Sequence, residues 1–233
     1  MQYFENDSLH EIERMMQRIP NFLPRGHGVM VVCCHEYTGK DCTCQNCPYH
    51  TGRGKKFRCR LDIRTCLKEK IEAGDATLRE IMTETMSAIR YPLFNIRLEQ
   101  YIKESERIPM DFRNEKHQTT FAEAVAKLNK KNYALMAALY LLTADHRLWM
   151  AAGGAVSRNA VSFDKIRLQN STENGYTLYC TAKDLYFGTK NLTIRDLADT
   201  ELIPPKLFGI ICNAMAVRRF GLGAVKFNHE RTK

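Results

Sequence analysis

The sequence has no uninterrupted apolar run of membrane-spanning length, no internal repeat and no tract rich in proline, glycine or serine. A transmembrane helix needs about 20 consecutive apolar residues, so we expect no membrane span. The missing repeats exclude a solenoid, and the missing low-complexity tracts argue against long disorder. The first residues, MQYFENDSLHEIE, carry acids where a signal peptide has its apolar core. A cytoplasmic globular protein is therefore expected.

Acidic residues are fewer than basic ones, with 26 Asp and Glu against 35 Lys and Arg, for a net charge of +9. Such a balance favours acidic partners, with nucleic acid first among them. The densest basic stretch spans residues 53–70, where only Asp62 and Glu69 oppose the cations. The candidate polyanion-binding residues within it are Arg53, Lys55, Lys56, Arg58, Arg60 and Arg64, followed by Lys68 and Lys70. The alternative is a solvated surface without a partner.

Cysteine is abundant, and its placement is uneven. Of nine cysteines, seven fall between Cys33 and Cys66. The odd total excludes complete pairing into intramolecular disulfides, and a cytoplasmic compartment would keep thiols reduced. A bound metal is the usual reason for such a cluster.

The spacing within the cluster indicates a metal site. Cys44 and Cys47 form a CxxC pair, which lets both sulfurs reach one ion from a tight turn. Cys59 and Cys66 are the expected second pair, with Cys66 at the start of a helix. The possible substitutes are Cys42, His35 and His50. Zinc is the expected metal; an iron–sulfur cluster and free or redox-active thiols are the alternatives.

Apolar residues recur at helical spacing through most of the chain. Helices are predicted at residues 8–19, 65–73, 78–89, 94–104, 121–128, 133–144, 145–153, 176–187 and 206–220, with a strand at 29–34 and a turn at Asn174–Gly175. Gly74 and Gly221 are expected to end two of the helices. The predicted fold is mainly α: a Cys-rich, zinc-stabilised N-terminal module with a short strand, followed by a C-terminal all-helical domain.

The domain organisation is predicted from composition. Residues 1–106 would form an N-terminal helical domain that contains the Cys-rich basic module at about 29–70. Residues 107–118 contain Pro109 and almost no periodic apolar signal, which is typical of a linker. Residues 119–225 would form the C-terminal helical domain, and 226–233 a basic tail.

No arrangement of catalytic residues is recognisable in the sequence. Asp145 and His146 could suggest an acid–base pair, but adjacent residues on a helix point in different directions. We expect Asp145 to cap a helix and His146 to lie on the surface. The chain is therefore predicted not to be an enzyme, with no catalytic residues assigned; an enzyme that uses the metal or the thiols is an alternative.

Several segments of the second half carry a resemblance to a known family. They are the run Asn132–Asp145, Leu148–Trp149, Phe163–Asp164, Ala182–Tyr186 and Asn213–Phe220. In these residues the chain resembles an uncharacterised family of small helical proteins carried on conjugative elements and phages of Clostridia-type bacteria. The resemblance covers about residues 121–222 and implies an accessory protein of a mobile genetic element, acting in the cytoplasm of a bacterial host.

Charge, cysteines and resemblance together predict a non-enzymatic accessory protein. It would bind nucleic acid or a nucleoprotein through the metal-stabilised basic module. The alternative is an anti-defence inhibitor, of the anti-CRISPR or anti-restriction kind, which blocks a nuclease by covering it.

Overall fold

The computed structural model describes residues 66–74, 76–108, 111–129, 132–169 and 171–225. The chain divides into two compact units, Met1–Cys66 and Leu67–Lys233. We call the second one the helical unit. The predicted first helix, the predicted strand, the basic tail and the Cys-rich module up to residue 65 lie outside the described residues.

The helical unit is mainly α, as predicted. Its nine described α-helices are α1 (Leu67–Ala73), α2 (Leu78–Thr85), α3 (Pro92–Arg107), α4 (Glu115–Ala126), α5 (Tyr133–Thr143), α6 (His146–Ala152), α7 (Glu173–Phe187), α8 (Ile194–Ala198) and α9 (Pro205–Phe220). Short 3-10 helices cover Phe163–Lys165 and Leu222–Val225. These residues form no strand, only an isolated antiparallel bridge between Val156 and Val161.

Side-chain caps account for many of the helix starts. The Asp145 carboxylate accepts a hydrogen bond from the Leu148 amide and begins α6, as predicted. Thr77 and Glu80 form a reciprocal capping box at the start of α2. Gly74 follows α1 with a φ of 83°, a left-handed value that glycine adopts without a Cβ clash. The expected stop at Gly74 is therefore confirmed.

Two local predictions were wrong, and one short helix was not predicted. The turn expected at Asn174–Gly175 is the first turn of α7, because Thr172 accepts a hydrogen bond from the Gly175 amide and caps the helix earlier. Helix α2 ends at Thr85, before the last apolar residue of its pattern. Helix α8 was missed because it has only five residues, although Thr193 and Asp196 form a capping box at its start.

Helix α5 is the centre of the core. All residues from Leu135 to Thr143 are buried, so the helix has no solvent-exposed face beyond its first turn. It packs against α4, α6, α7 and α9. Because this helix is apolar on all sides, it is removed from water only when other helices pack against each side. No helix in the described part of the chain is both long and apolar enough to cross a membrane.

A buried polar network joins the three long helices α3, α5 and α9. The Tyr101 hydroxyl donates to Asn213 Oδ1 at 2.6 Å, and Asn213 Nδ2 contacts the Tyr140 hydroxyl at 3.3 Å. The Tyr140 hydroxyl also donates to the carbonyl of Asp111. Next to this network Gly209 allows close packing, because a Cβ there would lie 2.6 Å from the Tyr101 ring. The hydrogen bonds let polar groups remain in the core without the cost of an unpaired donor or acceptor.

Arg97 fastens α3 to the segment around α8. Its guanidinium donates to the carbonyls of Leu197 at 2.7 Å and Asp199 at 2.8 Å, and also to the carbonyl of Ile203. The group lies 4.4 Å from the centre of the Phe208 ring. A cation at the C-terminal end of a helix satisfies its free carbonyls and interacts favourably with its dipole.

The predicted linker at 107–118 lies inside the helical unit. Helices on both sides of it share one core, because Arg97 and Tyr101 precede it and their partners follow it. Residues 111–114 themselves contribute to that core through the Asp111 carbonyl. The division of the chain into domains at residues 107–118 stays a prediction, as does the expectation that residues from about 113 to 222 fold alone.

His117 is a buried titratable group with both ring nitrogens engaged. Nδ1 accepts a hydrogen bond from the Arg113 amide at 3.1 Å, and Nε2 lies 2.8 Å from the carbonyl of Tyr140. These partners require the neutral ring with the proton on Nε2. Burial lowers the pKa of His117 to about 4, and the nearby Arg113 charge acts in the same direction.

We predict that this histidine makes folding stability depend on pH. Between pH 6.5 and 4 the unfolded chain takes up a proton that the folded chain does not, so stability falls as pH falls. From pH 7 to pH 5 the loss is about 2 kcal/mol. Urea unfolding of the wild type and of His117→Gln, which keeps a donor and an acceptor but cannot titrate, measures it. An equal loss in both proteins over this range would contradict the assignment.

Candidate functional site

Cys66 is the one predicted metal ligand within the described residues. It directly precedes α1, close to the predicted helix start, and its side chain is buried. The other expected ligands, Cys44, Cys47 and Cys59, lie outside the part that the structure describes, as do Cys42, His35 and His50. Across residues 66–225, with the gaps given above, no group of three His, Cys, Asp or Glu side chains is placed to hold a metal ion.

The end of the predicted basic stretch has a structural role. Lys68 is buried, and its ammonium donates to the Tyr133 hydroxyl at 3.0 Å. Lys70 forms an ion pair with Glu80 at 2.7 Å. Together with the capping hydrogen bonds of Thr77, this pair lowers the pKa of Glu80 to about 2. Arg53 to Arg64, which carry the remaining cations of the stretch, lie outside the described residues.

A cavity of about 610 Å³ opens where several helices end. Its walls are mainly apolar and come from the C-terminal end of α5 and from α7 and α9: Ala144, Leu178, Pro204, Pro205, Leu207 and Ile210. Polar groups are contributed by Glu104, Arg113, Asn174 and Lys206. Such a cleft suits a small ligand with an apolar body.

The charges around this cavity nearly balance. Arg113 donates to the carbonyl of Ala144 at 3.1 Å and lies 3.4 Å from the Asp145 carboxylate, which neutralises much of its charge. Lys206 and Glu104 carry opposite charges on the lining. The cavity therefore has little net field to attract a polyanion. Asp145 caps α6 and His146 is exposed, as predicted, so the two do not form an acid–base pair here.

Helix α7 carries an aromatic cluster that was not predicted from the sequence. The buried Phe163 ring lies 5.5–5.7 Å from the rings of Tyr179, Tyr186 and Phe187, measured between centroids. The Tyr179 hydroxyl donates to the Phe163 carbonyl at 3.3 Å. Helical spacing carries the signal, because residues 176, 179, 183, 186 and 187 fall on one side of the helix. The same spacing predicts Leu178, Ala182 and Leu185 as inward residues, and Leu185 is only half-buried. Leu178 and Ala182 are fully buried.

Comparisons with protein-family models, curated proteins and solved structures find no match to this chain.

We predict one zinc ion per chain, held by Cys44, Cys47, Cys59 and Cys66. Replacing Cys44 and Cys47 with serine should remove the metal, because thiolates are the ligands that a structural zinc site prefers. Metal analysis of the purified protein gives the stoichiometry and separates zinc from iron.

Cys212→Ser is the matched control, because burial raises the pKa of the Cys212 thiol and so disfavours the thiolate that binds metal. Loss of metal in this variant as well would point to general unfolding. A wild-type protein that contains no metal, and whose folding a chelator does not change, would contradict the site.

Proposed function

We propose that this chain is a non-enzymatic binding protein that contacts nucleic acid or a nucleoprotein through segment Arg53–Arg64. The observation that carries the proposal is the density of cations in that segment: six Lys and Arg with only Asp62 opposing them. Proteins that neutralise several phosphates with clustered Lys and Arg gain affinity from the release of counterions.

The helical unit supports this placement because it uses several of its cations internally. Arg79 pairs with Glu99 at 2.9 Å, and Arg219 pairs with Glu84 at 2.6 Å. Arg97 is buried against backbone carbonyls. Lys68 and Lys70, at the end of the basic stretch, contact Tyr133 and Glu80. These cations already have partners within the helical unit, which makes them less available to a polyanion.

A zinc ion held by the surrounding cysteines would strengthen this role. Metal-bound loops lose less conformational entropy on binding because their backbone is already ordered. The cations of Arg53–Arg64 would then be presented together to a phosphate backbone. Nothing in this arrangement selects a base sequence, since phosphate contacts position a protein without reading bases.

The partner distinguishes the two forms of this proposal. The setting, a mobile genetic element, rests on the resemblance alone. In that setting the same basic segment could bind free nucleic acid, or it could cover the guide or nuclease of a defence complex. Binding to free oligonucleotides favours the first form. Binding only to a defence nucleoprotein favours the anti-defence inhibitor.

We predict that the basic segment sets the salt dependence of binding. Five phosphate contacts would give a log–log slope of affinity against salt of about −3.5 to −4.5, depending on whether the nucleic acid is single- or double-stranded. Replacing Arg53, Lys55, Lys56, Arg58 and Arg60 with glutamine should flatten that slope. Fluorescence anisotropy of a labelled oligonucleotide at several salt concentrations measures it, and thermal unfolding checks that stability is nearly unchanged.

The control variant removes the same number of charges from the helical unit. Its five positions are exposed and form no ion pair with a described residue: Lys103, Lys116, Lys127, Arg147 and Arg158. The proposal requires a clearly smaller effect in the control. Equal losses would show that net charge alone attracts the partner, and an unchanged slope in the first variant would leave the segment as a solvated surface.

A further inference from the structure

Helix α7 presents one aromatic ring to solvent in its first turns and another at its last residue. Tyr176 is 59% exposed and Phe187 is 57% exposed. They are eleven positions apart, which is about three helical turns, so both rings lie on one side, about 16 Å apart along the axis. Tyr179, Lys183 and Tyr186 lie on the same side between them. We call these five residues the aromatic face.

The rings at the C-terminal end of the aromatic face are held in place. Phe163 packs against Tyr179, Tyr186 and Phe187, and the Tyr186 and Phe187 centroids are 4.8 Å apart in an edge-to-face arrangement. Rings that are already ordered lose little side-chain entropy when a ligand stacks on them. The exposed part of Phe187 is therefore a preorganised contact surface.

Cations lie on the aromatic face and in the segments that adjoin it along the chain. Lys183 lies within it, Lys165 and Arg167 belong to the segment that carries Phe163, and Lys190 follows the helix. The loop that carries Lys190 is fixed by Asp184, whose carboxylate accepts hydrogen bonds from Thr189, Asn191 and Leu192. Three acids, Asp164, Glu173 and Asp184, oppose the four cations, which leaves a net charge of +1. The local balance still favours an anionic partner.

We propose that the aromatic face stacks on unpaired bases of a single-stranded nucleic acid while the surrounding cations contact its phosphates. Base stacking on aromatic side chains, combined with a positively charged track, is how proteins bind single strands without sequence preference. A protein partner is less favoured, because lysine is depleted in protein–protein interfaces and is present here among the rings. The inference rests on the proposed function and narrows the partner to one with unpaired bases.

The test measures binding of a labelled single-stranded DNA 20-mer and of the corresponding duplex to the full chain. Tyr176→Ala and Phe187→Ala should each weaken single-strand binding about 5- to 100-fold, the range expected for the loss of one stacked base. Duplex binding should change little, because paired bases cannot reach the rings. The salt slope should stay the same, because neither side chain contacts a phosphate through a charge. Tyr176→Trp, which keeps an aromatic ring, should bind the single strand like the wild type.

Met150→Ala and Leu202→Ala are the matched controls, because these side chains are 69% and 50% exposed elsewhere on the helical unit. Equal losses in the controls, or equal losses for single strand and duplex, would overturn the stacking role. Wild-type affinity in both alanine variants, with the basic segment still setting the salt slope, would overturn this inference and leave the proposed function standing. No binding of either oligonucleotide would overturn the inference and the free nucleic-acid form of the function together.

Discussion

The helical unit depends on the complete burial of α5. Every residue of this helix from Leu135 to Thr143 is buried, and α4, α6, α7 and α9 pack against it. Burial of apolar surface is the main favourable contribution to folding. The order of the other helices around α5 follows from that requirement.

Burial on this scale also encloses polar groups, and the unit satisfies them with a few side chains from distant parts of the chain. Asn213 joins Tyr101 and Tyr140, and Arg97 binds the carbonyls around the end of α8. The Tyr101–Asn213 and Arg97–Leu197 hydrogen bonds connect residues 112 and 100 positions apart. Because buried polar groups are costly when they lose a partner, these bonds tie α3 to α9 as one cooperative core.

The cations of the molecule differ in whether they already have partners within the fold. Several cations of the helical unit form ion pairs, bind backbone carbonyls or contact aromatic rings, and the cavity between the helix ends has nearly balanced charges. The features that remain for a partner are the basic segment before α1 and the aromatic face of α7. The basic segment offers positive charge but no contact that reads a base, and the aromatic face offers ring surfaces with cations beside them. A single strand has both complementary parts, phosphates and unpaired bases.

Local chemistry along the chain was sufficient for the mainly helical class, for the central helix and for several helix ends. The Asp145 cap, the stop at Gly74 and the apolar run of α5 involve residues close together in sequence, and such patterns are legible without a structure. The start of α7 was misread because the Thr172 cap competes with a turn signal only a few residues away. The cysteine and cation clusters were equally legible as composition, although their geometry is not described.

Only the tertiary structure decided which residues far apart in the sequence become partners. Lys68 contacts Tyr133, and Lys70 contacts Glu80. Arg97 and Asn213 unite helices across residues 107–118, and Phe163 orders the rings of α7. No periodic pattern reports such contacts, because they depend on which helix surfaces meet once α5 is buried.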